Sequence, residues 1–263
     1  MKHLLLFLLL TNGFLGICQN NKIKAAKTGN YPLNADGFYG FDALGSCYYS
    51  KDNVFFKQKD NTKFEYKNPS LGKITKIDIQ NPLKLVLFYE DFNTIVTLDN
   101  QLNETQKINF SEIETPINVH AMGITSQNRF WIFNSLNQQI GLFDYLKNDY
   151  KTISQPISGN IKFYESDFNN FYWIDEKNNF HNIDNYGKTT QLGIIPDFDL
   201  LEIINSNEII YTKDHRLFFV DLNKNLKTEI EILEKTIENL SYKNQILTIF
   251  TDQQFTNYKI TIP

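Results

Sequence analysis

Outside the first 18 residues the chain carries three histidines, His120, His181 and His215, spaced 61 and 34 residues apart. None sits in an HExxH, HxH or CxxC arrangement. There is no glycine-rich phosphate cradle and no GxSxG nucleophile turn. Cys47 precedes Tyr48 and Tyr49 with no histidine near it in sequence, so it reads as a buried structural thiol rather than a nucleophile. Carboxylates are the remaining reactive class. Asp52, Glu90, Asp91, Asp175, Glu176, Asp214 and Asp252 fall in turns of similar context, where Asp most often serves the local hydrogen bonding of the turn. A ring of acids there would instead suit a cation or a basic partner, with Lys51, Lys177 and Lys213 beside them weakening the net field.

Those turns belong to a repeat. Aromatic-rich runs end at Tyr49, Tyr89, Phe133, Trp173, Tyr211 and Phe250, at intervals of 40, 44, 40, 38 and 39 residues. A second apolar run follows each turn. Four of these end in an apolar residue and Asp: Leu98-Asp99, Phe143-Asp144, Ile183-Asp184 and Val220-Asp221. Prolines recur between units at Pro69, Pro116, Pro156 and Pro196, where the missing N–H costs no ladder bond. The second unit shows four strand-like segments, Lys73 to Ile79, Lys84 to Tyr89, Thr94 to Asp99 and Thr105 to Phe110, rich in Ile, Val, Phe and Thr. The segment Lys224 to Leu240 is the one charged stretch where a helix competes, and the repeat register favours strands there.

A four-stranded antiparallel unit of about 40 residues, repeated radially, is a β-propeller blade. The fold class is therefore all-β, a propeller most simply of six four-stranded blades. Seven blades with one degenerate unit, or five with one spurious anchor, are the alternatives. The sixth unit has only three clear strands before the chain ends at Pro263, and Asn21 to Leu33 has no other role. That segment is expected to supply the missing outer strand and close the ring, leaving no open edge. The 14% of aromatic residues suits the wedges between blades.

Met1-Lys2-His3, the apolar run Leu4 to Leu10 and Gly16-Ile17-Cys18-Gln19 form the n, h and c regions of a signal peptide. The run is too short to span a bilayer, which needs about 20 apolar residues. Cleavage after Cys18 gives a signal peptide of residues 1–18 and one propeller domain of residues 19–263. Leu15-Gly16-Ile17-Cys18 also looks like a lipobox, with Cys18 as the lipidated residue and Ile17 bulky for such a motif. A formal charge of −4 excludes the basic stripe of a general nucleic-acid binder. No second segment is long and apolar enough to cross a membrane.

The register resembles exported six-bladed propellers of the NHL/TolB-like kind over essentially the whole mature chain. The likeness is one of architecture. The Trp-Asp dipeptide of WD repeats is absent, Trp173-Ile174-Asp175 being a near miss. No functional residue carries over, because this architecture hosts scaffolds, lactonases, lyases and transferases alike.

Inner strands line a propeller's channel, so polar residues within them are the candidate binding residues: Asp42, Lys76, His120, Glu202 and Glu238. Asp78, Lys162 and Glu165 are further polar positions of the same kind. No catalytic residue and no cofactor is indicated. The expected function is an exported binding or protein-interaction module of the cell envelope, periplasmic or at the surface. It would be monomeric and would meet a protein or glycan partner. The alternative is a metal-dependent hydrolase or lactonase at the channel mouth.

Overall fold

The computed structural model describes residues 22–263. The expected signal peptide, residues 1–18 with Cys18, lies outside the described residues. The chain begins with β1 (Ile23–Lys24) and β2 (Ala26–Pro32), then builds six antiparallel sheets in sequence order. Blade 1 is β3 (Gly37–Phe41), β4 (Cys47–Lys51), β5 (Val54–Lys59) and β6 (Thr62–Tyr66). Blade 2 is β7 (Lys76–Asp78), β8 (Leu85–Tyr89), β9 (Thr94–Leu98) and β10 (Glu104–Asn109). Blade 3 is β11 (Val119–Thr125), β12 (Arg129–Asn134), β13 (Gln139–Asp144) and β14 (Asp149–Thr152). Blade 4 is β15 (Ile161–Ser166), β16 (Asn170–Asp175), β17 (Asn179–Asp184) and β18 (Thr189–Ile194). Blade 5 is β19 (Leu200–Ile203), β20 (Glu208–Lys213), β21 (Arg216–Asp221) and β22 (Leu226–Glu231). Blade 6 is β23 (Asn239–Lys243), β24 (Ile246–Thr251) and β25 (Gln254–Lys259), completed by β2. This is the six-bladed propeller that the repeat implies.

The hairpins are tight because their residues accept left-handed backbone. Asp52 and Asn53, Gln127 and Asn128, Asp214 and His215, and Asn244 and Gln245 are pairs with both φ values between 50° and 65°. That is the primed-turn geometry whose twist matches the flanking strands. The apolar-Asp ends of the third strands build the other turns. Asp99 Oδ1 accepts from the N–H groups of Gln101 and Asn103, and Asp184 Oδ1 from those of Tyr186 and Lys188. Asp144 and Asp221 do the same with Leu146 and Lys224. These recurring aspartates are turn builders.

Ring closure follows the expected route. Tyr31 pairs with Phe255 and Ala26 with Lys259 in an antiparallel ladder. Beyond the expectation, β1 pairs in parallel with β22, Ile23 opposite Ile230, so the N-terminal segment fastens blade 5 as well as blade 6. The core is six separate apolar clusters, one in each wedge between adjacent blades. The closing wedge is aromatic, with Phe38 stacked against Phe250 at 5.7 Å and Phe255 at 5.6 Å between ring centroids. Burying a Phe side chain stabilises by roughly 1.5–3 kcal/mol, so each wedge binds its two blades firmly.

Candidate functional site

The innermost strand of each blade has no ladder partner on its channel side, so its N–H groups need other acceptors. Acidic side chains on neighbouring inner strands provide several. Asp78 on β7 accepts from Ile124 N–H on β11 at 2.8 Å. Glu165 on β15 accepts from Ile203 N–H on β19 at 3.2 Å, through Oε2. Glu202 on β19 accepts from Tyr242 N–H on β23 at 3.0 Å, through Oε1. Each of these carboxylates stitches one blade to the next. Between blades 6 and 1, Asn239 Nδ2 donates to Phe38 O. Between blades 3 and 4, Gly123 lets Ser166 approach so closely that a Cβ there would collide with its hydroxyl.

The channel holds a cavity of about 400 Å³, bordered by Lys76, Asp78, Glu165, Glu202, Ser241 and Tyr242 among others. Asp78 spends both oxygens within the fold, Oδ1 on Gln80 N–H at 2.9 Å and Oδ2 on Ile124. Glu165 and Glu202 each spend one oxygen on the backbone. Among the described residues, Glu165 Oε1 and Glu202 Oε2 have no hydrogen-bond partner. Lys76 Nζ has none either; it lies 5.0 Å above the Tyr164 ring. Burial raises the Glu202 carboxyl well above the ordinary range and the charge of Glu165 raises it further, while Lys76 pulls it down. Burial raises Glu165 too, opposed first by Lys76. The cavity thus has an ammonium and two underused carboxyls on its wall.

The candidates named from sequence fall in different places. Lys76 and Glu202 border the cavity, as do Asp78 and Glu165. Asp42 does not reach it. Its carboxylate accepts from Leu44 N–H at 2.8 Å, Ser46 N–H at 2.9 Å and Tyr48 O–H at 2.8 Å, which fixes the turn after β3. Burial pushes its pKa up, and those bonds outweigh it and hold the group below the usual range. His120 is at the start of β11, exposed, with Nδ1 2.7 Å from Glu90 Oε1. Glu238 precedes β23 and is exposed, its N–H bonded to Phe250 O at 3.0 Å. Lys162 pairs with Asp197 at 2.8 Å, which also binds Lys213 at 2.7 Å, so it ties blades 4 and 5 together at the surface. Tyr242 and Ser241 escaped sequence reasoning; being the inner strand of the sixth unit was their only signal. Burial pushes the Cys47 thiol up to about 12, which keeps it a thiol.

A larger cleft, about 700 Å³, runs along blade 4 beneath the connection containing Gln155 to Gly159. Trp173 and His181 stack there at 5.0 Å. Its carboxylate Asp175 is occupied by Lys177 N–H and Asn179, and Trp173 Nε1 is sealed from solvent without an acceptor. The channel cavity, with its polar groups open to a ligand, is the better site. Among the described residues no group of three or more His, Cys, Asp or Glu side chains is placed to hold a metal ion.

Charge is divided between the two ends of the ring. Turns between second and third strands share one end with the inter-blade connections, because successive strands alternate in direction. At that end the turns and connections hold thirteen acidic residues against four basic (Lys67, Lys73, Lys177 and Lys235); Lys51, Lys213 and Arg216 stand on the strand ends beside them, and Asp197 is already paired with Lys162 and Lys213. The opposite hairpin turns hold four of each sign, Asp42, Asp60, Asp99 and Asp167 against Lys84, Lys147, Lys188 and Lys224, and the turn-building Asp144, Asp184 and Asp221 on the strand ends make that end acidic too, though less so. That end exposes Leu44, Leu83, Leu146 and Tyr186, while the acidic end exposes Phe92, Leu136 and Leu233.

No family model and no curated protein matches the chain. Solved structures do. A virginiamycin B lyase from Staphylococcus aureus superposes with a TM-score of 0.59 at 12% identity, over 93% of this chain and 97% of that one. A streptogramin B lyase gives 0.56 at 13% identity, over 91% and 97%. The extracellular domain of a putative one-component system from B. thetaiotaomicron gives 0.51 at 12% identity, over 91% of this chain and 40% of that one. At these identities the likeness is one of fold.

Proposed function

We propose that this chain is an exported binding module of the cell envelope that meets a basic partner, a protein in the first instance, through the acidic end of its ring. The division of charge between the two ends carries this reading. An excess of acid concentrated at one face attracts and orients a basic partner and repels an acidic one. The loops that bear it stand on a scaffold closed at every wedge, the usual arrangement for recognition. Export rests on the leader pattern of residues 1–18, with residues 19–263 as the working domain and Cys18 as a possible lipid anchor. An extracellular domain among the solved structures of this fold agrees with that placement. Nothing favours the metal-dependent hydrolase, since no donor set for a divalent ion is assembled among the described residues.

The test is capture from envelope extract of the source cells on immobilised residues 19–263, at low and high salt. The same capture is run with Asp91, Glu114 and Asp252, all exposed, changed together to Lys. The expected result is a set of basic proteins that elutes with salt and is lost from the triple variant. Capture that ignores both salt and charge reversal overturns the reading.

A further inference from the structure

The channel cavity has a chemistry of its own, independent of the acidic end. Its volume of about 400 Å³ is within the range of small-molecule sites. Its charged groups are not consumed by the fold. Glu165 and Glu202 each give one oxygen to the neighbouring blade and keep the other without a partner among the described residues. Lys76 has only the Tyr164 ring. A structural cluster would be expected to close Lys76 onto one of these carboxylates as a salt bridge, yet no such pair lies within 4 Å among the described residues. Ammonium and carboxyls are held apart on the wall of one space.

We propose that this cavity is a binding site for a small zwitterion of the free α-amino acid class. The ligand's ammonium donates to Glu165 Oε1 and Glu202 Oε2, and its carboxylate accepts from Lys76 Nζ. A bare cation leaves Lys76 unanswered, and a bare anion faces two carboxyls. A ligand with both charges satisfies both sides without adding net charge to the cavity, which keeps the desolvation cost low.

The test uses residues 19–263 and the panel of proteinogenic L-amino acids, each also as its N-acetyl and its carboxyl-amide derivative. Thermal unfolding and titration calorimetry are the readouts. At least one free amino acid should raise the unfolding midpoint by about 2 °C or more at millimolar concentration. Its two capped forms should not. Glu202→Gln keeps an acceptor for Tyr242 N–H but loses the charge, and Lys76→Met loses the ammonium. Each should fold, as judged by its own ligand-free midpoint, and bind at least about tenfold more weakly, equivalent to about 1.4 kcal/mol. A panel in which nothing binds overturns the proposal. So does a capped derivative that binds as well as its parent, or a pair of folded variants with unchanged affinity. The capture of basic proteins, read separately with the Asp91, Glu114 and Asp252 variant, is untouched by either outcome.

Discussion

Glu202 is costly to the empty protein. Burial and the neighbouring charge of Glu165 place its folded-state pKa well above the ordinary 4.5. A carboxyl whose pKa rises on folding favours the native state below its unfolded value, and that advantage is lost as pH climbs through the folded one. The Glu202 contribution to stability is therefore expected to fall from about pH 4.5 upward. Glu202→Gln should be more stable than wild type near pH 8 and lose that advantage as the pH falls to 4. Unfolding midpoints across this range check the sign, and a Gln variant that is less stable at pH 8 contradicts it. Gly123 gives a second prediction at this scale. Gly123→Ala should cost about 1–3 kcal/mol by forcing β11 away from Ser166, and Ser166→Gly in the same chain should recover most of it in a denaturant titration. Lys76 and Glu202 were legible as candidates because polar residues in an inner strand are unusual. Asp42 was named on the same ground, yet its carboxylate is consumed by Leu44, Ser46 and Tyr48. Sequence does not separate those cases, because one residue of register moves a side chain from one face of a strand to the other.

At the level of elements, the spacing of six aromatic runs was enough to place the blades. The repeat also foretold the closing strand, since the sixth unit lacked one of its own. The parallel pairing of β1 with β22 was not legible. Two residues carry no periodicity, and a parallel contact to the preceding blade breaks the meander pattern on which the reading rested. Ile23 is buried between blades 5 and 6 with Ile230 and Tyr258. Ile23→Ala is expected to cost about 2 kcal/mol, at the low end for such a truncation because the strand is short and peripheral. Removal of residues 22–32 should cost more, since it strips the outer strand of blade 6 and exposes β25 as an open edge. Thermal unfolding of the two variants ranks these effects. A deletion that unfolds at the wild-type midpoint rules out ring closure as a source of stability.

The whole molecule presents one end rich in acid and another that is less acidic and exposes apolar side chains such as Leu83 and Tyr186. The acidic end was partly visible in sequence, where Asp52, Asp91, Asp214 and Asp252 recur at one kind of turn. The contrast with the other end was not, because it depends on which turns share an end of the ring. The channel lies between these ends and contributes its own charged cavity, so two kinds of recognition fit in one rigid body without overlap. Hydrogen exchange on residues 19–263, with and without the captured basic proteins, tests the central claim most directly. Protection confined to the second-to-third-strand turns and the inter-blade connections is the result the charge division predicts. Protection concentrated instead around Leu44, Leu83, Leu146 and Tyr186 would contradict it and make the apolar end the binding face.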